Sequence, residues 1–322
     1  MSEGADAGVP ITTLPAGGVL ESTTPPPPPI PAPSKVSFGA AFATVPSRAD
    51  AFLAHLLRCL QTRAGTDVVL QFACYSARLS GSALESLSRS ALRHAAQKLV
   101  ALAFQLPPQT SVVLATAQAP PAAAAAMRLA AQFKALSALM SETRTVNRLW
   151  GLLGLYFGLK RLVVRTRAGA GAGAAAADAG EAVFDSLVGY SQVVLLIFYQ
   201  VFENLSFLGG KKVLNINPAL RAKMALWSVK CWGGWIGIEL ARLLVERARM
   251  RATSGGVDEK EAKADAAARS KKWRKSFLRN LAWAPIVVHW TSPNGALPDM
   301  AVSLLAMYPS ASQMLDLWRD TA

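Results

Sequence analysis

Cysteine and histidine are both scarce in this chain of 322 residues, with three of each. Cys59, Cys74 and Cys231 are too scattered for a disulfide framework, and no CxxC pair occurs. His55, His94 and His289 lie far apart, so an HExxH-type metal site cannot be drawn from them. GxSxG, Walker and DxD-like constellations are missing as well. A GxGxxA match at Gly171, Gly173 and Ala176 falls in repetitive Gly/Ala sequence after an apparent helix, where a dinucleotide loop has no strand to start from. The chain therefore reads as non-enzymatic, with no cofactor and no metal. It is also poor in charge, at 17% against roughly 25% in ordinary soluble domains. No alternating strand pattern of useful length occurs, so the expected fold is all-α.

What is abundant is apolar and basic. Hydrophobic residues make up 52% of the chain, mean hydropathy is +0.27 and the formal net charge is +14. A charge of that sign and size calls for a polyanionic partner, either nucleic acid or an anionic lipid surface. The tryptophans favour lipid and not nucleic acid. Seven of the eight, all but Trp318, flank or lie within apolar segments or stand beside Lys and Arg, the arrangement of a membrane-interface belt.

Composition divides the chain. Residues 1–46 are rich in Gly, Pro, Thr and Ala, with five consecutive prolines at Pro25 to Pro29, and read as a disordered Pro-rich tail. Residues 47–164 read as an amphipathic helical region, in which Thr66 is the expected cap of a helix carrying Phe72, and a further helix runs from about Leu84 to Leu106. Residues 165–182 are a Gly/Ala linker, 183–246 a hydrophobic helical hairpin, 247–279 a basic segment and 280–322 C-terminal apolar helices.

One long amphipathic helix is expected over 128–162. Leu129, Phe133, Leu136, Met140 and Leu149 recur at helical steps, with Arg144 and Arg148 on other faces, the pattern of a helix that packs on neighbours or lies in a membrane interface with its arginines toward phosphates. The hairpin contains an uncharged run, Ser186 to Phe202, followed at once by Glu203 and Asn204. A polar pair in such a setting is consistent with a buried ion pair, a pore lining or a helix contact. Gly154 and Gly158 form a GxxxG, as do Gly233 and Gly237, spacing that lets helix backbones approach within a bundle or between subunits.

Three segments, in this order, resemble the peroxin eleven family of peroxisomal membrane elongation proteins. TDVVLQFACYSARL (66–79) is similar to its N-terminal helix, with Phe72 where tyrosine is usual. LSALMSETRTVNRLWGLLGLY (136–156) is similar to its Ser-x-x-Arg-x-x-x-Arg-Leu helix, here Ser141, Arg144, Arg148 and Leu149. FYQVFENLSFLGGKKVL (198–214) is similar to its Tyr-x-x-x-(Glu/Asp)-Asn segment, here Tyr199, Glu203 and Asn204, followed by Gly209, Lys211 and Lys212. The alanine-rich linker and the basic segment resemble a divergent fungal-type member. The resemblance implies a peroxisomal membrane protein that promotes elongation, tubulation and fission by amphipathic-helix insertion and homo-oligomerisation. Anionic membrane lipid, paralogues and a dynamin-like fission machinery are the implied partners. A membrane channel or metabolite conduit, with Glu203, Lys230 and Glu239 lining a polar path, and a soluble helical scaffold stand as rival readings.

Overall fold

The computed structural model describes residues 47–105, 107, 120–170, 176–253 and 260–322. The tail expected over 1–46 and the centre of the expected linker lie outside the described residues. Among those described there are eight helices and no strand: α1 (Ser47–Leu60), α2 (Arg63–Phe104), α3 (Pro121–Arg148), α4 (Gly151–Ala170), α5 (Ala176–Gly210), α6 (Pro218–Thr253), α7 (Lys260–Thr291) and α8 (Asp299–Asp320). The all-α expectation is borne out, whereas several helix ends differ from those expected.

The cap of α2 is Thr62 and not Thr66. The Thr62 hydroxyl accepts from the Gly65 amide at 3.0 Å, satisfying one of the donors a helix start leaves free. Thr66, one turn in, donates to the Leu60 carbonyl instead. The two helices expected on either side of Gly81 are one helix of 42 residues, about 63 Å long at 1.5 Å per residue. Gly81 does not break it, because its missing side chain is used for packing.

That packing is set by small residues and not by the leucine stripe. On α2, Cys74, Gly81 and Ser88 are buried; on α3, so are Ala123, Ala130 and Ser137. The helices run antiparallel with a seven-residue step on each. Asp67 meets Arg144, and Cys74 Sγ lies 3.3 Å from the Ser137 carbonyl. A Cβ on Gly81 would stand 3.1 Å from the Ala130 carbonyl oxygen. Ser88 and Ala123, the next pair in this register, are both buried. Small side chains bring the two backbones together, as in membrane helix pairs. Leu129, Leu136 and Leu139 are left on the outside of α3, and Leu87, Leu99 and Leu102 on the outside of α2.

The expected 128–162 helix is two helices, interrupted at Leu149 and Trp150. Leu149 N–H bonds to the Val146 carbonyl and Leu153 N–H to the Trp150 carbonyl, so the regular ladder tightens and stops. The Leu149 carbonyl accepts instead from Asn204 Nδ2 at 3.2 Å. The group that satisfies the released carbonyl therefore lies 55 residues away in sequence, on α5.

The apolar core lies where α2, α6, α7 and α8 meet. Ile286, Val302 and Ala306 are fully buried, packed with Ile236, Val287, Trp283 and Tyr75. Gly233 brings α6 against α7, since a Cβ there would stand 2.5 Å from Val287 Cγ1. Pro285 and Pro309 both lie inside helices. The C-terminal turn of α8 also receives α1: His55 stacks on Trp318 with ring centres 3.8 Å apart, and its Nε2 lies 2.9 Å from the Trp318 carbonyl.

Candidate functional site

The three quoted segments converge on one polar cluster, built from α2, α3 and α5. Arg144 donates from Nε and Nη2 to the two Asp67 oxygens at 3.0 and 3.1 Å, and from Nη2 to Gln71 at 2.9 Å. Gln71 in turn donates to the Ser310 hydroxyl on α8 at 3.2 Å. One turn further along α3, Arg148 donates to both oxygens of Glu203, at 2.7 and 2.9 Å, and Tyr199 donates to the same carboxylate at 2.9 Å. Such bidentate, charge-assisted pairs are the strong ones among side-chain hydrogen bonds. Burial alone would lower the Arg148 pKa, but Tyr199 and Glu203 outweigh it and hold the guanidinium above its ordinary value, so it stays charged.

Asn204 is held in place to do its work at the elbow. Its Oδ1 accepts from Gln200 Nε2 at 2.7 Å, leaving Nδ2 aimed at the Leu149 carbonyl. Gln200 reaches the elbow because residue 151 is glycine; a Cβ there would lie 2.5 Å from Gln200 Oε1. The Glu203-Asn204 pair thus divides its labour. The acid neutralises Arg148 at the end of α3, and the amide satisfies the carbonyl that the elbow releases.

The rest of the α5 segment forms its C-terminal cap. The Lys212 backbone has φ of 61°, the left-handed conformation that usually falls to glycine just past a helix end. Val213 N–H bonds back to the Leu208 carbonyl at 3.0 Å. Lys211 pairs with Glu142 on α3, and Gly209 packs against Ile216.

Of the other expected site residues, Leu129 and Leu136 are exposed, Phe133, Met140 and Leu149 are partly buried, and Phe72 is partly buried outside the polar cluster. Space beside the Cβ positions of Gly154, Gly158 and Gly237 is open, whereas Gly233 is used within the chain. Glu203 and Glu239 line one cavity, but Lys230 does not; it is exposed, over the face of Trp227. Among the described residues no group of three or more His, Cys, Asp and Glu is placed to hold a metal ion.

That cavity, about 590 Å³, is the feature the sequence reading missed. Its polar side carries Asp67, Arg144, Arg148, Glu203 and Arg279, and its aromatic side Tyr75, Trp232, Trp283 and Trp290. The rings form a continuous wall: Tyr75 to Trp283 at 5.5 Å, Trp283 to Trp232 at 5.3 Å and Trp232 to Trp290 at 6.0 Å. The usable signal was the spacing of four residues that puts Asp67, Gln71 and Tyr75 on one face of α2.

One helix, over Gly180–Gly210 of α5, is long and apolar enough to cross a membrane. Only 6% of its apolar window is buried inside the protein. Beside it, α4 exposes Leu153, Tyr156, Phe157 and Val164, and the elbow exposes Trp150. Phe157, Val164 and Ala168 share a shallow recess with Lys160, Arg161 and Arg165.

The described residues therefore define an all-helical fold with one apolar helix of membrane-spanning length and a polar cluster that takes in its Tyr199 and Glu203. The chain is 31% identical over 125 residues to an uncharacterised protein of Schizosaccharomyces pombe, a match covering 38% of this chain. It spans about half the length of that relative, 56%. No family model matches the chain, and no solved structure matches it.

Proposed function

We propose that the protein is a peroxisomal membrane-remodelling protein that promotes elongation, tubulation and fission of the organelle. The carrying observation is the outward apolar surface of α5 and α4. A helix of membrane-crossing length with only 6% of its apolar window fully buried, and with Val183, Leu187, Val194 and Phe198 exposed, suits a lipid surface. The neighbouring face of α4 interleaves aromatic and aliphatic side chains with Lys160, Arg161 and Arg165, which suits a helix lying among anionic headgroups. In this reading α5 anchors the chain, while α4 and the outer leucines of α3 wedge the leaflet. Gly154 and Gly158, on an open face, are available for self-association.

The peroxisomal assignment rests on the resemblance of the three segments. Their meeting through Arg144–Asp67, Arg148–Glu203 and Asn204–Leu149 supports it, because it accounts for why those residue types recur together. Paralogues and a dynamin-like fission machinery are the partners the resemblance adds.

The test is twofold. Tagged full-length protein should co-localise with a peroxisomal marker and stay in the pellet on alkaline carbonate extraction, and the purified chain should draw anionic vesicles into tubules. Release by carbonate would overturn the membrane reading in favour of a soluble scaffold. Retention with ion conductance across planar bilayers, and no tubulation, would favour the conduit.

A further inference from the structure

The cavity beneath the α3–α4 elbow has an imbalance of hydrogen-bonding groups. Its carboxylates are spent. Both oxygens of Asp67 accept from Arg144, both of Glu203 from Arg148, and both of Glu239 from Arg242, with Gln192 adding a further bond. Its donors are not. Arg144, Arg148 and Arg279 each bind protein groups through Nε and Nη2, leaving Nη1 of all three without a protein acceptor among the described residues. The indole N–H groups of Trp232, Trp283 and Trp290 and the hydroxyl of Tyr75 make no hydrogen bond there either, while the indole of Trp273, outside the cavity, is bonded to the Leu243 carbonyl.

Two of these donors belong to buried side chains, Tyr75 at 8% exposed and Trp283 at 9%, and the others to partly buried ones. No side-chain polar atom among the described residues is both buried and unpartnered, so each free donor keeps accessible surface, and the residues that carry these donors line the cavity. A buried donor is normally satisfied, and one that faces a cavity is satisfied by whatever fills it. Three guanidinium nitrogens ask for an oxyanion, and the aromatic wall of the same cavity asks for apolar substance.

We propose that this cavity binds an amphiphile with a phosphate or carboxylate head. The head accepts from Nη1 of Arg144, Arg148 and Arg279, and the adjoining apolar portion lies against Tyr75, Trp232, Trp283 and Trp290. A cationic head is excluded by the same groups, since the cavity carboxylates are already engaged. The assignment goes beyond membrane remodelling and does not depend on it.

The test uses the full chain purified in dodecyl maltoside, whose sugar head carries no charge, and reads tryptophan fluorescence as single-chain amphiphiles are added. Dodecyl phosphate should produce a saturable change, and dodecyltrimethylammonium at the same mole fraction should not. Tyr75→Phe with Trp283→Phe keeps an aromatic ring at each position and removes two donors, and should weaken binding about tenfold. Trp290→Phe, at a partly exposed ring, is the fallback if the double variant misfolds, while Trp227→Phe, outside the cavity, should leave affinity unchanged. Equal responses to the phosphate and ammonium compounds, or no saturable response, would overturn the proposal. Inorganic phosphate acting as strongly as dodecyl phosphate would overturn the amphiphile assignment. Native mass spectrometry separates the sources: a phospholipid adduct displaced by dodecyl phosphate identifies membrane lipid, and saturable binding without one identifies a soluble organic acid. Loss of vesicle tubulation with binding intact would fail the remodelling reading alone.

Discussion

Arg148 and Glu203, 55 residues apart, meet guanidinium to carboxylate through two hydrogen bonds of 2.7 and 2.9 Å. Both side chains are largely shielded, and Tyr199 completes the carboxylate's shell. The pair fastens the end of α3 to α5 at the point where the chain turns into α4.

Removing one partner leaves the other charge shielded and alone. Arg148→Ala or Glu203→Ala should each lower stability by about 3 kcal/mol, whereas Arg148→Met combined with Glu203→Leu should cost much less. Chemical denaturation of the four proteins in one detergent checks this. Equal losses in the single and paired variants would show that the pair is not coupled.

The elbow makes a geometric prediction. Asn204→Leu removes the donor that holds the Leu149 carbonyl, so the helical ladder can close across residues 149 and 150. Spin labels at the exposed positions Leu139 and Val164 should then move apart toward about 38 Å, the length of 25 residues of unbroken helix. An unchanged distance would place the origin of the bend elsewhere.

Two faces of the α2–α3 pair should respond in opposite ways. Gly81→Val puts a side chain within about 3 Å of Ala130 and Lys134 and should cost about 1–3 kcal/mol by overpacking. Leu129→Ser with Leu136→Ser, on exposed positions, should change stability by about 0.5 kcal/mol or less yet reduce binding to anionic vesicles. Thermal unfolding and vesicle flotation on the same samples separate the effects.

Lys212 occupies a left-handed position at the end of α5 that glycine fills more cheaply. Lys212→Gly should therefore stabilise the protein by about 1 kcal/mol, read as an upward shift in Tm. A fall in Tm would mean that the lysine side chain contributes more than its backbone costs.

Acid should weaken the joint between α2, α3 and α8. Burial alone would raise the Asp299 carboxyl, but hydrogen bonds from Arg78, Lys134 and Ser82 outweigh it and hold its pKa down to about 2, from an ordinary 3.8. A depressed carboxyl stabilises the fold above its unfolded pKa and loses that contribution as pH falls from 3.8 toward 2. Because the side chain is 45% exposed, the contribution is about 1 kcal/mol after solvent screening. The Tm difference between the parent and Asp299→Asn should be constant near neutrality and vanish toward pH 2.

The helical class and the apolar character of α5 were legible in the sequence because both are carried by local composition and period. Glu203-Asn204 was visible as a polar notch, but its partners were not, since they stand on another helix. The break at 149–150 was illegible for the same reason: WGLLGLY contains no proline, and the groups that meet the interruption, Asn204 and Gln200, stand on α5. The α2–α3 interface was not legible either, since the leucines of α3 suit a packing face or a membrane face equally. A leucine stripe reads as a packing face in water, yet here the buried positions are Gly81, Ala123, Ala130 and Ser137.

The matched seven-residue step of α2 and α3 limits how this chain can change length. Asp67 with Arg144, Cys74 with Ser137 and Gly81 with Ala130 are successive contacts of one antiparallel register. Deleting a single residue inside either helix turns everything beyond it by about 100° and moves its small residues off the seam. The smallest tolerated change within these helices is a paired one, seven residues gained or lost on both, so descendants of this sequence can drift in composition far more readily than in spacing.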